Sequence, residues 1–313
     1  MNHNTSWPTT STAVITDGGL ETWLVFLKGQ DLPAFAAYPL AGTPEGRALL
    51  TEYYEHYSAI AARHDASVVL EAPTWRANPE WAATLGHDLE TLAELIRQGV
   101  AVVQDVRSRW SASGSFLVGG TVGPRGDGYV LGATMTADEA EWYHTFQVQQ
   151  MAAAGVDSIT ALTMGYVEEA VGITRAARAV GLPAIVSYTL ETDGRLPSGV
   201  TLGEAIAATD AATDGYPTHY MINCAHPTHF EHAVAGGESW LGRIGGLRAN
   251  ASTLSHAELD EMEVLDDGDP ADLAARYVQL RAALPALQVV GGCCGTDERH
   301  VAAIAAAWHH TGA

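Results

Sequence analysis

The chain is poor in lysine and cysteine, and it has no long apolar run. Lys28 is the only lysine among 313 residues, and 37 acidic against 16 basic residues give a formal net charge of −21. Nucleic acids and anionic membranes bind basic patches, so we expect neither as a partner. No apolar run reaches the roughly 20 residues that cross a bilayer. The acidic balance is compatible with a cationic small substrate.

Three cysteines in a chain of this length are too few for a disulfide framework. The first residues, 1–12, are polar and lack the apolar segment of a signal peptide. We therefore predict a cytoplasmic protein with reduced thiols. Residues 1–12 are interpreted as a polar N-terminal segment, and residues 13–313 as one domain.

Short apolar runs alternate with long amphipathic stretches. Continuous apolar strands separated by helices indicate a parallel sheet covered on both faces, and eight such units favour a closed (β/α)8 TIM barrel of the α/β class. The strand-like runs are 13–16, 67–70, 115–119, 157–161, 184–188, 220–223, 243–247 and 287–291. Clear helical stretches are 44–64, 137–154, 167–180 and 270–283. Long connections at 123–135 and 249–269 both follow strands, which places them at the face where barrel enzymes build their active sites.

The three cysteines all follow predicted strands. Cys224 comes after the sixth strand, and the adjacent pair Cys293 and Cys294 comes after the eighth. Three thiolates predict a zinc site with an open fourth position, as catalytic zinc has. The glycines at 291 and 292 would let the backbone turn so that two adjacent side chains reach one point. The alternative is that the cysteines are buried structural residues.

Four histidines surround Cys224 in the sequence. They are His219, His226, His229 and His232. Imidazole is a good zinc ligand, so one of them could bind the metal. We favour the other interpretation, in which they cap or line the loop after the sixth strand.

Glycine pairs follow the first and third strands. Gly18 and Gly19 come after Asp17, where backbone N–H groups could approach a carboxylate while Asp17 pairs with an ammonium group. A second glycine-rich loop spans 119–124. Either loop could also be an ordinary tight turn.

Together these motifs resemble the homocysteine S-methyltransferase family, over about residues 13–308. The family includes betaine–homocysteine and S-methylmethionine-dependent methyltransferases and the homocysteine module of cobalamin-dependent methionine synthase. The matching segments are 17–19, 119–124, 193–199, 223–224 and 291–296.

The resemblance implies a (β/α)8 barrel whose zinc is held by Cys224, Cys293 and Cys294. The thiol of homocysteine would take the open position and attack the methyl carbon of a cationic sulfonium or quaternary ammonium donor, giving methionine. Asp17, Gly18 and Gly19 would contact the amino acid end of homocysteine. Thr163 and Asn223 are further predicted substrate-binding residues.

The chain departs from the family at two strand ends. Many members carry a Glu-Thr pair after the fourth strand, where this chain has Leu162 and Thr163. Members are usually threonine-rich after the second strand, where this chain has Glu71. Our hypothesis is that Glu71 supplies the missing carboxylate. The rival hypothesis is that the acceptor is another small thiol or a selenol.

A cationic donor should contact aromatic rings, because an onium centre is attracted to a ring face. Trp23 and Trp75 follow the first two strands and are the first candidates, and Trp75 is also a candidate for substrate binding. Tyr129 and Trp142 are weaker candidates. Hydrophobic packing is the alternative for each.

Two other classes of function stay open at this stage. A zinc hydrolase would hold water at the open position, but such sites usually use histidine and carboxylate ligands with a nearby base. A non-catalytic barrel that binds zinc or an amino acid is the second, since fold does not imply function. The sequence does not identify the donor or the oligomeric state.

Overall fold

The computed structural model describes residues 13–310, so the predicted N-terminal segment lies outside it. Eight parallel strands form a closed barrel in chain order, each paired with the next and the eighth with the first. The predicted (β/α)8 barrel is therefore confirmed. The strands are β1 (Val14–Ile15), β2 (Ser67–Ala72), β3 (Phe116–Val122), β4 (Ser158–Met164), β5 (Ala184–Thr189), β6 (His219–Asn223), β7 (Ile244–Ala249) and β8 (Val289–Gly292).

Each of the eight predicted runs overlaps one strand. Most of the strands, however, end one to three residues later than the predicted runs. β2 extends to Ala72, so Glu71 lies inside this strand instead of after it. β3 continues through two glycines to Val122. Polar and glycine residues end an apolar run in the sequence, whereas the backbone pairing of a barrel continues through them.

Helices cover the outside of the barrel. They are α1 (Leu20–Thr22), α2 (Pro44–Arg63), α3 (Pro79–Thr84), α4 (Leu89–Ser108), α5 (Ala137–Ala154), α6 (Val167–Ala179), α7 (Leu202–Thr213), α8 (Pro227–Phe230), α9 (His256–Asp260), α10 (Pro270–Ala283) and α11 (Glu298–His310). A π-helical turn (Trp23–Leu27) and four 3₁₀ turns (Pro33–Phe35, Tyr38–Gly42, Glu231–Val234, Ser239–Arg243) join them. None of the helices between residues 13 and 310 is long and apolar enough to cross a membrane.

Local sequence signals set the helix ends. The hydroxyl of Thr136 accepts a hydrogen bond from the backbone N–H of Glu139, whose side chain accepts one from the backbone of Thr136. This capping box satisfies two N–H groups that would otherwise lack partners at the start of α5. At the other end Gly155 has φ +87°, the left-handed conformation in which helices often stop.

The inside of the barrel has an apolar lower layer and a polar upper layer. The lower layer takes one buried side chain from each of six strands: Val14, Val69, Leu117, Ile185, Met221 and Val289. Leu162 of β4 packs in the same apolar cluster but reaches the cavity. Side chains alternate along a strand, so the residue two positions further on also faces inward. In β2, β6 and β7 the upper residues are Glu71, Asn223 and Arg248. The strand alternation therefore carries polar groups to the carboxyl-terminal face.

Candidate metal centre and substrate cavity

A cavity of about 440 Å³ opens at the carboxyl-terminal face of the barrel. The two long loops predicted at this face both contribute to its wall, through Tyr129 and through His256. Most of the predicted site residues line it: Asp17, Gly18, Gly19, Glu71, Trp75, Thr163, Cys224, Cys293 and Cys294. Asn223 is fully buried behind the cysteines. The structure thus brings together residues from five strand ends.

The three cysteines converge at the bottom of the cavity. Their Sγ atoms all lie within 4.8 Å of one another, which makes them a candidate metal-binding group in the described part of the chain. Cys224 and Cys293 are joined as a disulfide, with Cα atoms 5.4 Å apart, and Cys294 is a free thiol. The prediction of three reduced thiols is therefore wrong for this structure. The neighbouring ends of β6 and β8 bring the two sulfurs close enough either to bond or to share a metal.

Cys224 adopts an unusual backbone conformation. Its φ is +53°, which is uncommon for a residue with a side chain. The backbone N–H of Cys224 donates to the carbonyl of Arg248 (3.1 Å), and its own carbonyl accepts from the side chains of Asn250 (3.1 Å) and His256. Strained residues of this kind persist where the surrounding structure holds them, as it does here.

The Cys293–Cys294 pair lies at a tight turn. The backbone N–H of Thr296 donates to the carbonyl of Cys293 (3.1 Å), and Gly295 has φ +79°. The turn is thus at Gly295, and the glycines at 291 and 292, expected to permit it, keep ordinary backbone angles. Glycine is needed at 292 for a different reason. A Cβ there would collide with Thr296, so the missing side chain leaves space for the threonine.

Each sulfur faces a polar side chain that can donate a hydrogen bond. Tyr129 Oη lies 3.8 Å from Cys294 Sγ, and Asn223 Nδ2 lies 3.9 Å from Cys293 Sγ. Thr163 Oγ1 lies 3.9 Å from Cys224 Sγ and accepts from Asn223 Nδ2 (2.8 Å), so its own hydrogen is directed to the sulfur. Thr163 has φ +67°, and its backbone N–H donates to Asn223 Oδ1 (3.0 Å). Donors to each ligand are typical of metal sites.

The donor set suits zinc. Zinc binds thiolates at about 2.3 Å in tetrahedral geometry, which separates the sulfurs by about 3.8 Å. Burial raises the pKa of the Cys294 thiol to about 11, so at neutral pH this thiol is protonated unless a cation is nearby. Three soft sulfurs with hydrogen-bond donors around them therefore form a suitable zinc cage once Cys224 and Cys293 are reduced.

Charged side chains form the wall of the cavity beside the cysteines. Asp17 Oδ1 pairs with Arg248 Nη2 at 2.7 Å, and Asp17 also accepts from the hydroxyls of Thr16 (3.0 Å) and Tyr53 (3.3 Å). Burial raises the pKa of Asp17, and the Arg248 charge opposes this effect. Asp17 is therefore already paired inside the protein, which the sequence did not predict.

Glu71 is held in the same wall by two threonines. Its carboxylate accepts from Thr121 Oγ1 (2.9 Å) and Thr160 Oγ1 (2.7 Å). Burial raises the pKa of Glu71 above its ordinary value, and Arg248 again opposes the effect. A Cβ on Gly119 would collide with the Glu71 carboxylate, so the glycine makes room for the acid.

The backbone groups of the two glycines after β1 form hydrogen bonds within the protein. The backbone N–H of Gly19 donates to the carbonyl of Thr296 (3.1 Å). The carbonyl of Gly18 accepts from Tyr53 Oη (2.8 Å) and from Arg248 Nη2 (3.2 Å). The N–H of Gly19, predicted to meet a substrate carboxylate, is thus used inside the protein.

The aromatic candidates divide into two groups. Trp75 lines the cavity, with its indole N–H donating to the carbonyl of Leu162 (3.3 Å) and one ring face covered by Arg76 at 4.1 Å. Tyr129 also lines it and stacks on His256 with ring centres 3.9 Å apart. In the sequence Tyr129 is the weaker candidate because it lies far along a loop from its strand.

The other two aromatic candidates lie elsewhere. Trp23 is 3% exposed and packs edge-on against Tyr53, with Lys28 Nζ 4.7 Å from its ring centre. It does not line the cavity, because the π-helical turn after β1 directs it into the core. Trp142 is 81% exposed on α5. The prediction that Trp23 contacts the donor is thus corrected in favour of core packing.

The histidines near Cys224 do not join the cysteine cluster. His226 caps the start of α8 by accepting from the backbone N–H of Thr228. His229 Nε2 lies 2.8 Å from the carbonyl of Thr253, and His232 Nε2 lies 3.2 Å from that of Asp193. His219 is buried in β6, at the opposite end of that strand from Cys224.

Sequence reasoning missed several polar residues of the cavity, of which three matter most here. Arg248, Glu21 and His256 all line it. Arg248 is a charged residue near the end of an apolar strand, and that signal could have identified it. Burial raises the pKa of Glu21 to about 7. Glu21 and His256 lie outside strands and carried no such signal.

The chain is similar to known proteins over nearly its whole length. A sequence model described as homocysteine S-methyltransferase matches residues 14–308. No curated protein sequence matches the chain. Crystal structures of the homocysteine methyltransferase MmuM from Escherichia coli share its fold. The oxidized form has a TM-score of 0.74 and 23% identity, covering 94% of this chain and 95% of that one. The metallated form has a TM-score of 0.73 and 21% identity, covering 95% and 96%.

Proposed function

The chain belongs to the homocysteine S-methyltransferase family, and on that premise we propose that it is a zinc-dependent enzyme with a cationic methyl donor. The methyl group passes from a sulfonium or quaternary ammonium donor to the thiolate of homocysteine and gives methionine. The observation that carries the zinc proposal is the convergence of Cys224, Cys293 and Cys294 within 4.8 Å, each facing a hydrogen-bond donor.

The three cysteines would hold the metal. Zinc bound to a thiol deprotonates it, and the thiolate is the nucleophilic form. The donors Thr163, Asn223 and Tyr129 fix the orientation of the sulfurs and reduce their excess negative charge. The protein would thereby position the acceptor sulfur at the base of a cavity that both apolar and charged side chains line.

The acceptor's ammonium group would bind Glu71. This carboxylate lines the cavity, and the threonines that hold it leave lone pairs on each oxygen for a further donor. Leu162 also lines the cavity, where many family members have a glutamate. Asp17 is a second candidate, although its pairing with Arg248 already neutralises much of its charge. Glu71 is thus the better-placed replacement for the lost carboxylate.

The donor would enter from the mouth of the cavity. Tyr129 and Trp75 both line the cavity, where contact of a cation with an aromatic ring is worth about 0.5–2 kcal/mol. Glu21, Asp127 and Asp260 place carboxylates along the same cavity. Acidic groups beside aromatic rings attract a positively charged donor and repel anionic ones.

A panel of methyl donors tests this proposal. Zinc-loaded, reduced protein is incubated with homocysteine and either S-methylmethionine, S-adenosylmethionine, betaine or dimethylsulfoniopropionate, and methionine is measured by mass spectrometry. We expect methionine with at least one donor, and no transfer by the Cys294→Ser variant. Failure with every donor, in protein that contains stoichiometric zinc, would contradict the proposal.

The second candidate acceptor is another small thiol or a selenol. Leu162 favours it, because an apolar residue replaces the carboxylate that many members use to hold the substrate ammonium. Selenohomocysteine and thiols without an amino group are therefore included in the same panel. A non-catalytic barrel is the outcome if native protein lacks zinc and all three Cys→Ser variants fold and bind ligands like the wild type.

A further inference from the structure

Two buried arginines line the cavity in the part of the chain that the structure describes, Arg76 in the loop after β2 and Arg248 in β7. Of the two, Arg248 is the one inside the barrel. It is 4% exposed, and its position in β7 directs the side chain inward. Nε donates to the carbonyl of Gly292 (3.1 Å), and Nη2 lies 2.7 Å from Asp17 Oδ1. Nη1 is buried and has no hydrogen-bond partner among the described residues.

An unpaired guanidinium nitrogen in a protein interior requires an explanation. Buried polar groups are nearly always hydrogen-bonded, and leaving a charged one unpaired is costly. The side chain is held in place by Asp17 and Gly292, so it cannot easily turn away. Because Arg248 lines the cavity, an oxygen acceptor bound there would lie beside this incompletely paired guanidinium.

The surroundings of Arg248 match an amino acid head group. Asp17 and Glu71 place carboxyl groups on the same wall, and the Arg248 charge favours the ionised form of both. A zwitterion presents an ammonium and a carboxylate on one carbon, so it needs both signs of charge in its site. The carboxylates of this wall suit the ammonium, and Arg248 is the group that suits the carboxylate.

We propose that Arg248 binds the carboxylate of the acceptor and thereby selects thiols that carry one. This inference rests on the proposed function, since it assigns the acceptor's second contact. It gives the carboxylate a partner that the backbone N–H of Gly19 does not provide, because that group is bonded to Thr296. The competing role for Arg248 is structural, as the counter-ion of Asp17 alone.

Three thiols separate the two roles. Homocysteine carries both charged groups, 4-sulfanylbutanoate lacks the amine, and the amine-only thiol, 3-aminopropane-1-thiol, lacks the carboxylate. For the Arg248→Met variant we expect the KM of the two carboxylate-bearing thiols to rise on the order of tenfold or more. With the amine-only thiol, the KM should change less than about twofold. An equal rise for all three thiols overturns the proposal in favour of the structural role.

Calorimetric titration of the same thiols into zinc-loaded protein gives the affinities without turnover. If the wild type binds them in the order expected but transfers no methyl group, the proposed reaction fails while the Arg248 assignment stands. If the wild type binds the amine-only thiol as tightly as homocysteine, the assignment fails even with full activity.

The control variant is Arg243→Met. Arg243 lies at the opposite end of β7 and pairs with Asp210 at 2.9 Å, so its loss removes an arginine from this strand region without touching the cavity. Arg248→Met leaves Asp17 buried without a counter-ion and could prevent folding. The double variant Asp17→Asn/Arg248→Met, compared with Asp17→Asn alone, then gives the same test with no uncompensated charge.

Discussion

Glu71 is the residue that we propose supplies the carboxylate missing at Leu162. Its carboxylate is held by two threonine hydroxyls and lines the cavity beside the cysteines. Glutamine keeps the size of the side chain and removes the charge. We expect Glu71→Gln to raise the KM for homocysteine about tenfold or more, because a charge-assisted hydrogen bond to the ammonium is lost.

Initial rates with homocysteine and with 4-sulfanylbutanoate check this prediction. The amine-free thiol serves as the internal control, since its KM should be insensitive to Glu71. An unchanged KM for homocysteine would remove Glu71 from the substrate site and favour a different acceptor.

Glu21 gives the cavity a charge that depends on pH. Burial raises its pKa from 4.5 to about 7, so the side chain is neutral below that pH and ionised above it. We expect the KM for a permanently cationic donor to fall as pH rises through about 7, and this dependence to weaken in Glu21→Gln. Because the folded-state pKa is the higher one, the stabilising effect of the neutral form is lost between about pH 4.5 and 7.

Donor titrations at saturating acceptor, across the pH range around neutrality, measure this effect. Asp17 and Glu71 also have raised pKa values, and the comparison with Glu21→Gln separates their contribution. The same pH slope in wild type and variant would assign the titration to another group.

The sequence predicted most of the individual residues of the candidate site, but it did not predict which of them pair with one another. A sulfur-bearing residue at the end of an apolar strand is a clear signal, and it identified Cys224 and Cys293, whereas Glu71 was found as a departure from the family pattern. The ion pair of Asp17 with Arg248 joins residues far apart in the chain, and nothing local indicates it. Tyr129 reaches the cysteines from within a loop, where no periodic pattern fixes a side chain's direction.

The strands of the barrel position the site through their alternation. Gly119 in β3 is the clearest case, because its missing side chain leaves the space that the Glu71 carboxylate occupies. We expect Gly119→Ala to displace Glu71 and to raise the KM for homocysteine as Glu71→Gln does, by about tenfold. Adding the alanine to Glu71→Gln should cause little further change.

Gly126→Ala is the matched control. It lies in the loop after β3, where an added Cβ would meet no atom within 4 Å. Kinetics of the single and double variants, with thermal unfolding to exclude a global effect, measure the result. An unchanged KM for homocysteine in Gly119→Ala would show that Glu71 can shift to accommodate the added Cβ without weakening homocysteine binding.

Element boundaries follow from the sequence where local signals are strong. The predicted helices at 137–154 and 270–283 agree with α5 and α10 to the residue, because capping residues mark their starts. The strand ends at the carboxyl face are predicted too early. The site is built there from glycine, threonine and charged residues, and these interrupt the apolar pattern that predicts a strand.

For the whole molecule, metal binding and thiol oxidation exclude each other. Cys224 and Cys293 can form a disulfide or hold a metal together with Cys294. We expect reduced protein to bind one zinc ion per chain and to lose it, with its methyl transfer, when the disulfide forms.

Elemental analysis and thiol titration of the same samples check this prediction. Oxidised protein should expose one thiol per chain after denaturation, and reduced protein three. Treatment with a thiol reductant and zinc should restore activity. Cys294→Ser retains the pair that forms the disulfide and serves as the control that lacks the third ligand. Oxidised protein that still contains stoichiometric zinc would contradict the proposed ligand set.

The order of the cysteines along the chain also has a consequence for biosynthesis. Cys224 is made 69 residues before Cys293, and the two sulfurs meet only after β8 has closed the barrel against β1 and β7. A chain that is still being translated, or one truncated before β8, cannot assemble the three-sulfur cluster. Metal loading at the proposed site would therefore be a late event in the maturation of this protein, and the zinc content of a fully reduced preparation would report the fraction of chains that have completed folding.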